Sequence, residues 1–567
     1  MVLQRRRRRA GGSPALALVV ALLGVGLAAR CGALSTSGLP EHVWKQVLDV
    51  EPNRHLQQLG EVSESHEVLT RTYFSDAHKK AAQKILRWME QAGMTAHIDV
   101  MGNVHGVVEG SNPELGELLV GSHYDTVVDG GKFDGALGVL LGISAVKAVL
   151  LEALQRAGKL ANLQWAIDNV EPGEDIDLPA RAVKGLLPGS VRVVGFCDEE
   201  GIRFKSTFLG SRALAGTLIR HNQLRATGPD GATFEEVLRA SGVRDPAEAV
   251  AALALTPKSV RHYVEVHIEQ GPQLEAAGVP LGVVSGIAGQ TWLSVSVEGQ
   301  QNHGGTVPMV LRKDPMAAAA QAISAVEGTC LGARDDHGGV DVEGESLMCT
   351  VGSVRVHPNQ VNIIPKWVNF TVDVRTRRQE FRQEVIALIE ARVAGVCAAR
   401  GLNCTVSRTH DARPVHSDPQ LVSKLQAAVL TAQPMIARVL DAGGAGAAQR
   451  GAATAATCGA GGAAAGSGQC AAAAAAAGGG GGAAFTSLQS EVPVLLSGAG
   501  HDAMAIADIA PIAMAFVRCA GGVSHNPAEH ADPRDVAAAT AALATFMEMD
   551  LLDWQDHRDD SFAPVEL

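Results

Sequence analysis

Beyond its N-terminus this 567-residue sequence has no basic stripe, and its 60 acidic residues outnumber its 48 basic ones, giving a formal net charge of -12. That balance excludes nucleic acid as a partner, because neutralising phosphates requires a basic field. Cysteines are few and scattered, nine in all, with no C-x-x-C and no regular spacing, so no disulfide framework can be read. Cys197 and Cys349 lie in apolar strand-like runs and read as plain buried residues. Two stretches lack what a core needs. Residues 155–188 are polar, acidic around Glu171 to Asp177, and have no steady period; 443–484 is almost wholly alanine and glycine and accounts for most of the excess of glycine in a chain that has 63. Both read as insertions, the second as a disordered surface excursion.

What is present begins with a positive block, Arg5 to Arg9, followed by an apolar run from Ala15 to Ala29 and small residues to Ala33. This is a signal-peptide pattern, and the run is short against the roughly 20 residues of a spanning helix. Cleavage after Ala33 (residues 1–33), entry into the secretory pathway with the endoplasmic reticulum as destination, and no membrane attachment thereafter are expected, an uncleaved anchor being the alternative. The remaining length suits two domains.

The pattern from His78 to Gly93 places Ala82, Ile85, Leu86 and Met89 at helical spacing before a glycine stop. Leu118 to Gly121, Val191 to Phe196 and Tyr263 to Ile268 are short apolar runs that read as buried strands, and Gly135 to Leu154 reads as a long buried helix. Such alternation predicts an α/β domain with a mainly parallel central sheet, whose sites collect at strand carboxyl ends. From Ser285 the texture changes. Leu293, Val295 and Val297 alternate with polar neighbours, as do Val368, Phe370, Val372 and Val374, and helical stretches follow at Pro315 to Val326 and Glu380 to Ala399. This reads as an inserted α+β module at 285–405, splitting the first domain into 44–284 and 406–550. The α/β texture resumes at Val492 to Ser497 and closes with an alanine-rich helix from Asp535 to Met549.

Five short segments carry chemistry. SHYDTV sets His123 and Asp125 two apart past a strand, on one face of an extended segment, so that a carboxylate can hold a metal-binding imidazole. GGKFDG puts Asp134 before the long helix, where an N-cap is the plainer reading. In CDEEG, Asp198, Glu199 and Glu200 repel one another unless a cation is near, although a solvated turn would also explain them. VEVHIEQGP embeds His267 in an apolar strand, as a satisfied core histidine could be, and GGVSHNPAEH presents His525 in a glycine-rich loop, with Glu529 and His530 behind it. Each is modest alone. Together they fall at strand ends or loops of one inferred sheet and are residue types that divalent metals accept.

In that order and spacing, SHYDTV, GGKFDG, DEEG, VEVHIEQGP, GHDA and SHNPAEH resemble the allantoate and N-carbamoyl amino acid amidohydrolases of the M20 metallopeptidase clan, over most of the chain from Trp44 to Met549. The runs MGNVHGVVEG, STFLGSRALAG, GVVSGIAGQTWLSV and SGAGHDAMAIA are most similar to the plant-type allantoate branch. The resemblance implies an M20-type catalytic domain with an inserted lid and dimerisation domain, and a homodimer. It implies two divalent metal ions, manganese as the usual activator with zinc as an alternative. Asp134 would bridge them, His123 and His267 completing one site and Glu200 and His525 the other. Glu199 becomes the general base, and Asp125 would orient His123. His303, Asn362 and Arg375 match substrate-contacting positions of the lid, His303 stabilising the oxyanion and Arg375 clamping a carboxylate with its fork. Gln270, Gly500 and His501 are further candidates for substrate contact.

The sequence departs from the family pattern at Tyr124, where leucine is usual, and at Gly304, where another small residue commonly follows the histidine. The reaction implied is hydrolysis of a small-molecule ureide, allantoate, to ureidoglycine, ammonia and carbon dioxide. Ureidoglycolate or an N-carbamoyl amino acid are alternative substrates, and a metal-dead binding protein is the alternative outside enzymes.

Overall fold

The computed structural model describes residues 39–162, 173–332, 347–441 and 491–556. The basic N-terminal block, the apolar run after it and the alanine-glycine stretch 443–484 therefore lie outside the described residues, as does part of 155–188. The chain divides into two compact units, one within Met1–Gly282, Ser423–Pro493 and Ala515–Leu567, the other within Val283–Val422 and Val494–Met514.

In the first unit, strands β1 (Thr95–Ile98), β2 (Val104–Val108), β3 (Glu117–His123), β4 (Ser190–Phe196) and β5 (Val260–Ile268) lie in the order β1-β2-β4-β3-β5. The β4-β3 and β3-β5 pairs are parallel, while β1-β2 and β2-β4 are antiparallel. Every residue of β3 is buried, which explains why it reads as a continuous apolar run rather than an alternation. Helix α1 (Asp76–Gln91) starts on Ser75, whose hydroxyl accepts the His78 N–H, and buries Ala81, Ala82, Ile85 and Met89 as one stripe. It ends before Gly93, whose φ of 87° is the left-handed conformation expected of a glycine stop.

Helix α2 (Ala136–Arg156) buries 18 of its 21 residues. It is apolar all round because it packs against the sheet on one side and the terminal helix Pro533–Asp556 on the other. Gly138 permits the close approach to β5: a Cβ there would overlap the Val266 carbonyl. The one helix among the described residues long and apolar enough to cross a membrane is α2, and it lies inside this core. Lys147, also on α2, is buried against Glu51 at 2.6 Å, and Glu51 accepts the Ile176 N–H at 2.9 Å. The described part of 155–188 is thus tied to the core through Glu51, and Asp175 pairs with Arg54 and His55.

The second unit holds β6 (Leu281–Ile287) from Val283 onward, β7 (Gly289–Glu298), β8 (Asn302–His303), β9 (Met348–Thr350), β10 (Val354–His357), β11 (Ile363–Ile364), β12 (Trp367–Thr376), β13 (Asn403–Ala412), β14 (Val415–His416) and β15 (Val494–Ser497). An antiparallel sheet runs β10-β12-β7-β13, with β9 also on β12. Leu293, Val295 and Val297 of β7 and Val368, Phe370, Val372 and Val374 of β12 are buried, and helices α3 (Pro315–Gly332) and α4 (Gln379–Ala399) cover that face. This is the period-2 alternation of a sheet with one packed face.

The reading of Cys349 as a plain buried residue is corrected. It is half-buried and disulfide-bonded to Cys330 near the end of α3, and Cys397 of α4 is bonded to Cys404 of β13. Spacing gave no hint of either pair, because the cysteines meet where a helix end folds back on a strand. Cys197 is buried and unbonded, as is Cys519.

Candidate metal centre and active site

The three parallel strands deliver their carboxyl ends side by side. Val120 of β3 pairs with Val264 of β5, three residues before His123 and His267. His123 itself pairs with Phe196, three residues before Glu199. Parallel register therefore brings two imidazoles and the acidic turn to one edge of the sheet.

Both histidines are pre-set as ligands. The Nδ1 of His123 lies 3.1 Å from the carbonyl of Asp125, and that of His267 lies 2.9 Å from the carbonyl of Ile268. Donation from Nδ1 fixes the tautomer whose Nε2 carries a lone pair, and both Nε2 atoms face Asp134 Oδ1, at 3.6 and 3.2 Å. On the other side, His525 Nε2 lies 3.1 Å from Asp134 Oδ2 and 3.4 Å from Glu200 Oε1. Two triads result, His123 with Asp134 and His267, and Asp134 with Glu200 and His525, each with ligand atoms within 4.8 Å of one another. Asp134 is common to both.

Asp134 is not the cap of α2. That position belongs to Gly135, at a φ of 62° and with no side-chain cap bond, and a Cβ on Gly135 would overlap the His123 ring. Asp134 is buried with imidazoles on both of its oxygens. Burial works against its charge, but His123, His267 and His525 hold its pKa well below the ordinary carboxylate value. Burial likewise opposes charge on His123, and Asp125, Asp134 and Glu199 outweigh it, raising that pKa well above the usual imidazole value. His525 is raised to about 9, first by its hydrogen bond to Asp134. Glu200 is raised to about 7, first by burial and then by the neighbouring Asp134. A carboxylate-rich pocket that holds protons so firmly is one a divalent cation can occupy in their place. The donor set, imidazole nitrogen with carboxylate oxygen, fits such a cation.

Asp125 is buried and does more than lie near His123. Its Oδ1 is 3.6 Å from the His123 ring, while its two oxygens accept the backbone N–H groups of Glu199 at 3.1 Å and Glu200 at 3.3 Å. It therefore holds the turn that carries both glutamates. Glu199 is buried, with Oε2 at 3.9 Å from His123 Nε2, and with His123 and Glu200 it forms a third group whose possible ligand atoms lie within 4.8 Å of one another. Gln270, at a φ of 56°, donates from Nε2 to Asp134 Oδ2 at 3.1 Å and to Ser524 Oγ at 3.0 Å. Tyr124 turns away from this cluster: its ring stacks on His78 and its hydroxyl donates to the Gly102 carbonyl at 2.6 Å.

The remaining candidates belong to the second unit. His303 and Asn362 are brought together by the short β8-β11 ribbon, both exposed, with the Gly304 N–H donated to the Asn362 carbonyl at 2.7 Å. The guanidinium of Arg375 is engaged: Nε and Nη2 meet Asp373, at 3.0 and 2.8 Å, and Nη1 donates to the Gly498 carbonyl at 2.9 Å. His501 is buried with Nε2 at 2.8 Å from Ser497 Oγ, and Gly500 before it is half-buried. Sequence reasoning assigned no role to Ser524 and Glu529, which surround Asp134; their only signal was adjacency to His525 in an unusually polar glycine-rich loop.

Against this geometry stand the comparisons with known proteins. The model of peptidase family M20/M25/M40 matches residues 180–473. The chain is 38% identical to an allantoate deiminase of Arabidopsis thaliana over 525 residues, covering 91% of this chain and 85% of the relative. It is 32% identical to an N-carbamoyl-L-amino-acid amidohydrolase of Pseudomonas sp. (strain NS671), covering 86% and 95%. Among solved structures it is similar to AtUAH in complex with (S)-hydroxyglycine, at a TM-score of 0.65 and 26% identity, covering 92% of this chain and all of that one, 100%. The chain belongs to the peptidase family M20/M25/M40 and is a metal-dependent hydrolase.

Proposed function

We propose that this protein is an allantoate amidohydrolase, hydrolysing allantoate with one water to ureidoglycine, ammonia and carbon dioxide in ureide breakdown. The observation that carries the substrate is the 38% identity to an allantoate deiminase across nine-tenths of the chain, against 32% to a carbamoyl-amino-acid hydrolase. The chemistry is carried by two triads sharing Asp134, with Glu199 beside them.

His123, Asp134 and His267 would hold one divalent cation, and Asp134, Glu200 and His525 a second, with manganese the expected ion. When bound, such a pair polarises a carbonyl and acidifies a water. Glu199 takes the proton from the attacking water and delivers it to the nitrogen that leaves as ammonia, and the carbamate left behind loses carbon dioxide. Asp125 keeps Glu199 in place through its backbone N–H. As further parts of the proposal, His303 serves the developing oxyanion, and Asn362 and Arg375 the substrate carboxylate, with Gln270, Gly500 and His501 as additional contacts. Arg375 would then exchange part of its engagement with Asp373 for the substrate.

Ammonia release from purified, manganese-loaded protein offered allantoate, ureidoglycolate and N-carbamoyl amino acids side by side tests the assignment. Turnover of allantoate at the highest kcat/KM is expected, and none with allantoate would sink it. Glu199→Gln should lower kcat by about 100- to 10,000-fold, the usual worth of a general base, with the metal content unchanged. We also propose a homodimer, checked by sedimentation mass, and passage through the secretory pathway to the endoplasmic reticulum. The Arg5–Arg9 block with its apolar run supports that address, and an oxidising compartment suits two disulfides. A tagged full-length chain found in the cytosol would overturn it.

A further inference from the structure

Asp134 sits in a loop with little stiffness of its own. Gly130, Gly131 and Gly135 surround it, and it makes no cap bond to α2. Something outside the loop must fix a side chain that serves two triads at once. Glu529 occupies that place. It is 4% exposed, and its Oε1 accepts two backbone donors together, the N–H of Phe133 at 2.9 Å and that of Asp134 at 3.0 Å. Its Oε2 lies 3.1 Å from Ser524 Oγ. That hydroxyl also lies 3.3 Å from Asp134 Oδ2 and receives Gln270 Nε2 at 3.0 Å. Gly131 makes room for the carboxylate, since a Cβ there would overlap it.

Glu529 and Ser524 flank His525, a residue held at a φ of 54° in its own loop. The Glu529 carboxylate is therefore the tie between the loop that carries Asp134 and the loop that carries His525, nearly 400 residues apart in sequence. Without it, the buried N–H groups of Phe133 and Asp134 lose their acceptor, and both ligand loops lose a common anchor.

We propose that Glu529 is a positioning residue that sets the shared carboxylate Asp134 for the second cation, the one held with Glu200 and His525. This rests on the reading that two cations share Asp134. Its consequence is selective, because the triad of His123, Asp134 and His267 keeps two imidazoles fixed by backbone carbonyls, Asp125 and Ile268. The Glu200 and His525 triad has an imidazole whose side chain is 49% exposed and depends on its loop.

The test measures manganese binding to full-length protein, by metal analysis after equilibration at fixed free Mn2+ and by the paramagnetic resonance signature of a coupled pair. Glu529→Ala should retain one tightly bound ion and bind the second about 10- to 100-fold more weakly, the range found when a partner of a metal ligand is removed. The coupled-pair spectrum should give way to that of an isolated ion. Glu529→Gln keeps an oxygen for both N–H groups and should bind close to the unaltered protein. Gly131→Ala, which leaves every polar group in place, should reproduce the alanine loss. Unchanged binding of both ions in a folded Glu529→Ala overturns the proposal, as does a Glu529→Gln as weak as the alanine variant. If Glu529→Ala does not fold, Glu529→Gln and Gly131→Ala decide between the same outcomes. An unaltered protein that takes up one ion or none overturns the two-cation reading instead, whatever the variants do.

Discussion

At the scale of single residues, the metal centre is a set of groups whose charges only make sense together. Four carboxylates, Asp125, Asp134, Glu199 and Glu200, are packed with His123, His267 and His525. In the cation-free protein, protons on His525 (about 9) and Glu200 (about 7) balance part of that charge. A divalent cation must displace them, so metal binding releases protons. Apparent affinity is expected to rise with pH from 6 to 9, steepest below the His525 value, and to weaken as acid refills both sites. Calorimetric titration in buffers of different ionisation enthalpy checks this; binding with no net proton release at pH 7 would contradict the arrangement. These residues were legible in sequence as types at strand ends. Their grouping was legible only through a family resemblance, since an H-x-D, an acid before a helix and a core histidine each have a plainer explanation. The hydrogen bonds of Asp125 to the backbone of Glu199 and Glu200, and of Glu529 to that of Asp134, left no sequence pattern, because their acceptors serve N–H groups that every residue carries.

At the scale of elements, local periodicity was informative wherever burial was one-sided. The stripe of α1 and the alternation of β7 and β12 follow directly from their spacing. Helix α2 has no such stripe, and its fit depends on small residues. Gly138→Ala is expected to drive a methyl into the Val266 carbonyl and cost about 1–3 kcal/mol, as overpacking does, read as a fall in the thermal midpoint. Since Val266 adjoins His267, manganese affinity should fall with it; a variant as stable as the parent would mean that helix and strand can separate freely. The two disulfides each join a helix of the second unit to a strand of its sheet, Cys330 to Cys349 and Cys397 to Cys404. Replacing Cys330 and Cys349 by serine should cost about 2–4 kcal/mol of stability while leaving the manganese stoichiometry untouched, because every ligand lies in the other unit. Loss of metal in that variant would refute the separation.

At the scale of the whole molecule, the chain is one metal-bearing α/β unit interrupted by a second unit and by stretches with little core-forming content. Excising 443–484 is expected to leave allantoate turnover intact and to shift stability by less than about 1 kcal/mol, since loop-closure cost grows only slowly with length. Ammonia release and the thermal midpoint of the shortened chain check this, and a collapse of either would give that segment a role its composition does not suggest. By itself the sequence determined which residues could be ligands, which runs would be helix or strand, and that an α/β sheet would present them at its carboxyl edge, because residue chemistry and side-chain period are local properties. Only the tertiary structure decided the distances that make Asp134 common to two triads, that Asp125 and Glu529 grip the backbone of the ligand loops as well as neighbouring side chains, that Arg375 is already paired with Asp373, and which cysteines bond. Those are distances between residues far apart in the chain, and packing sets them.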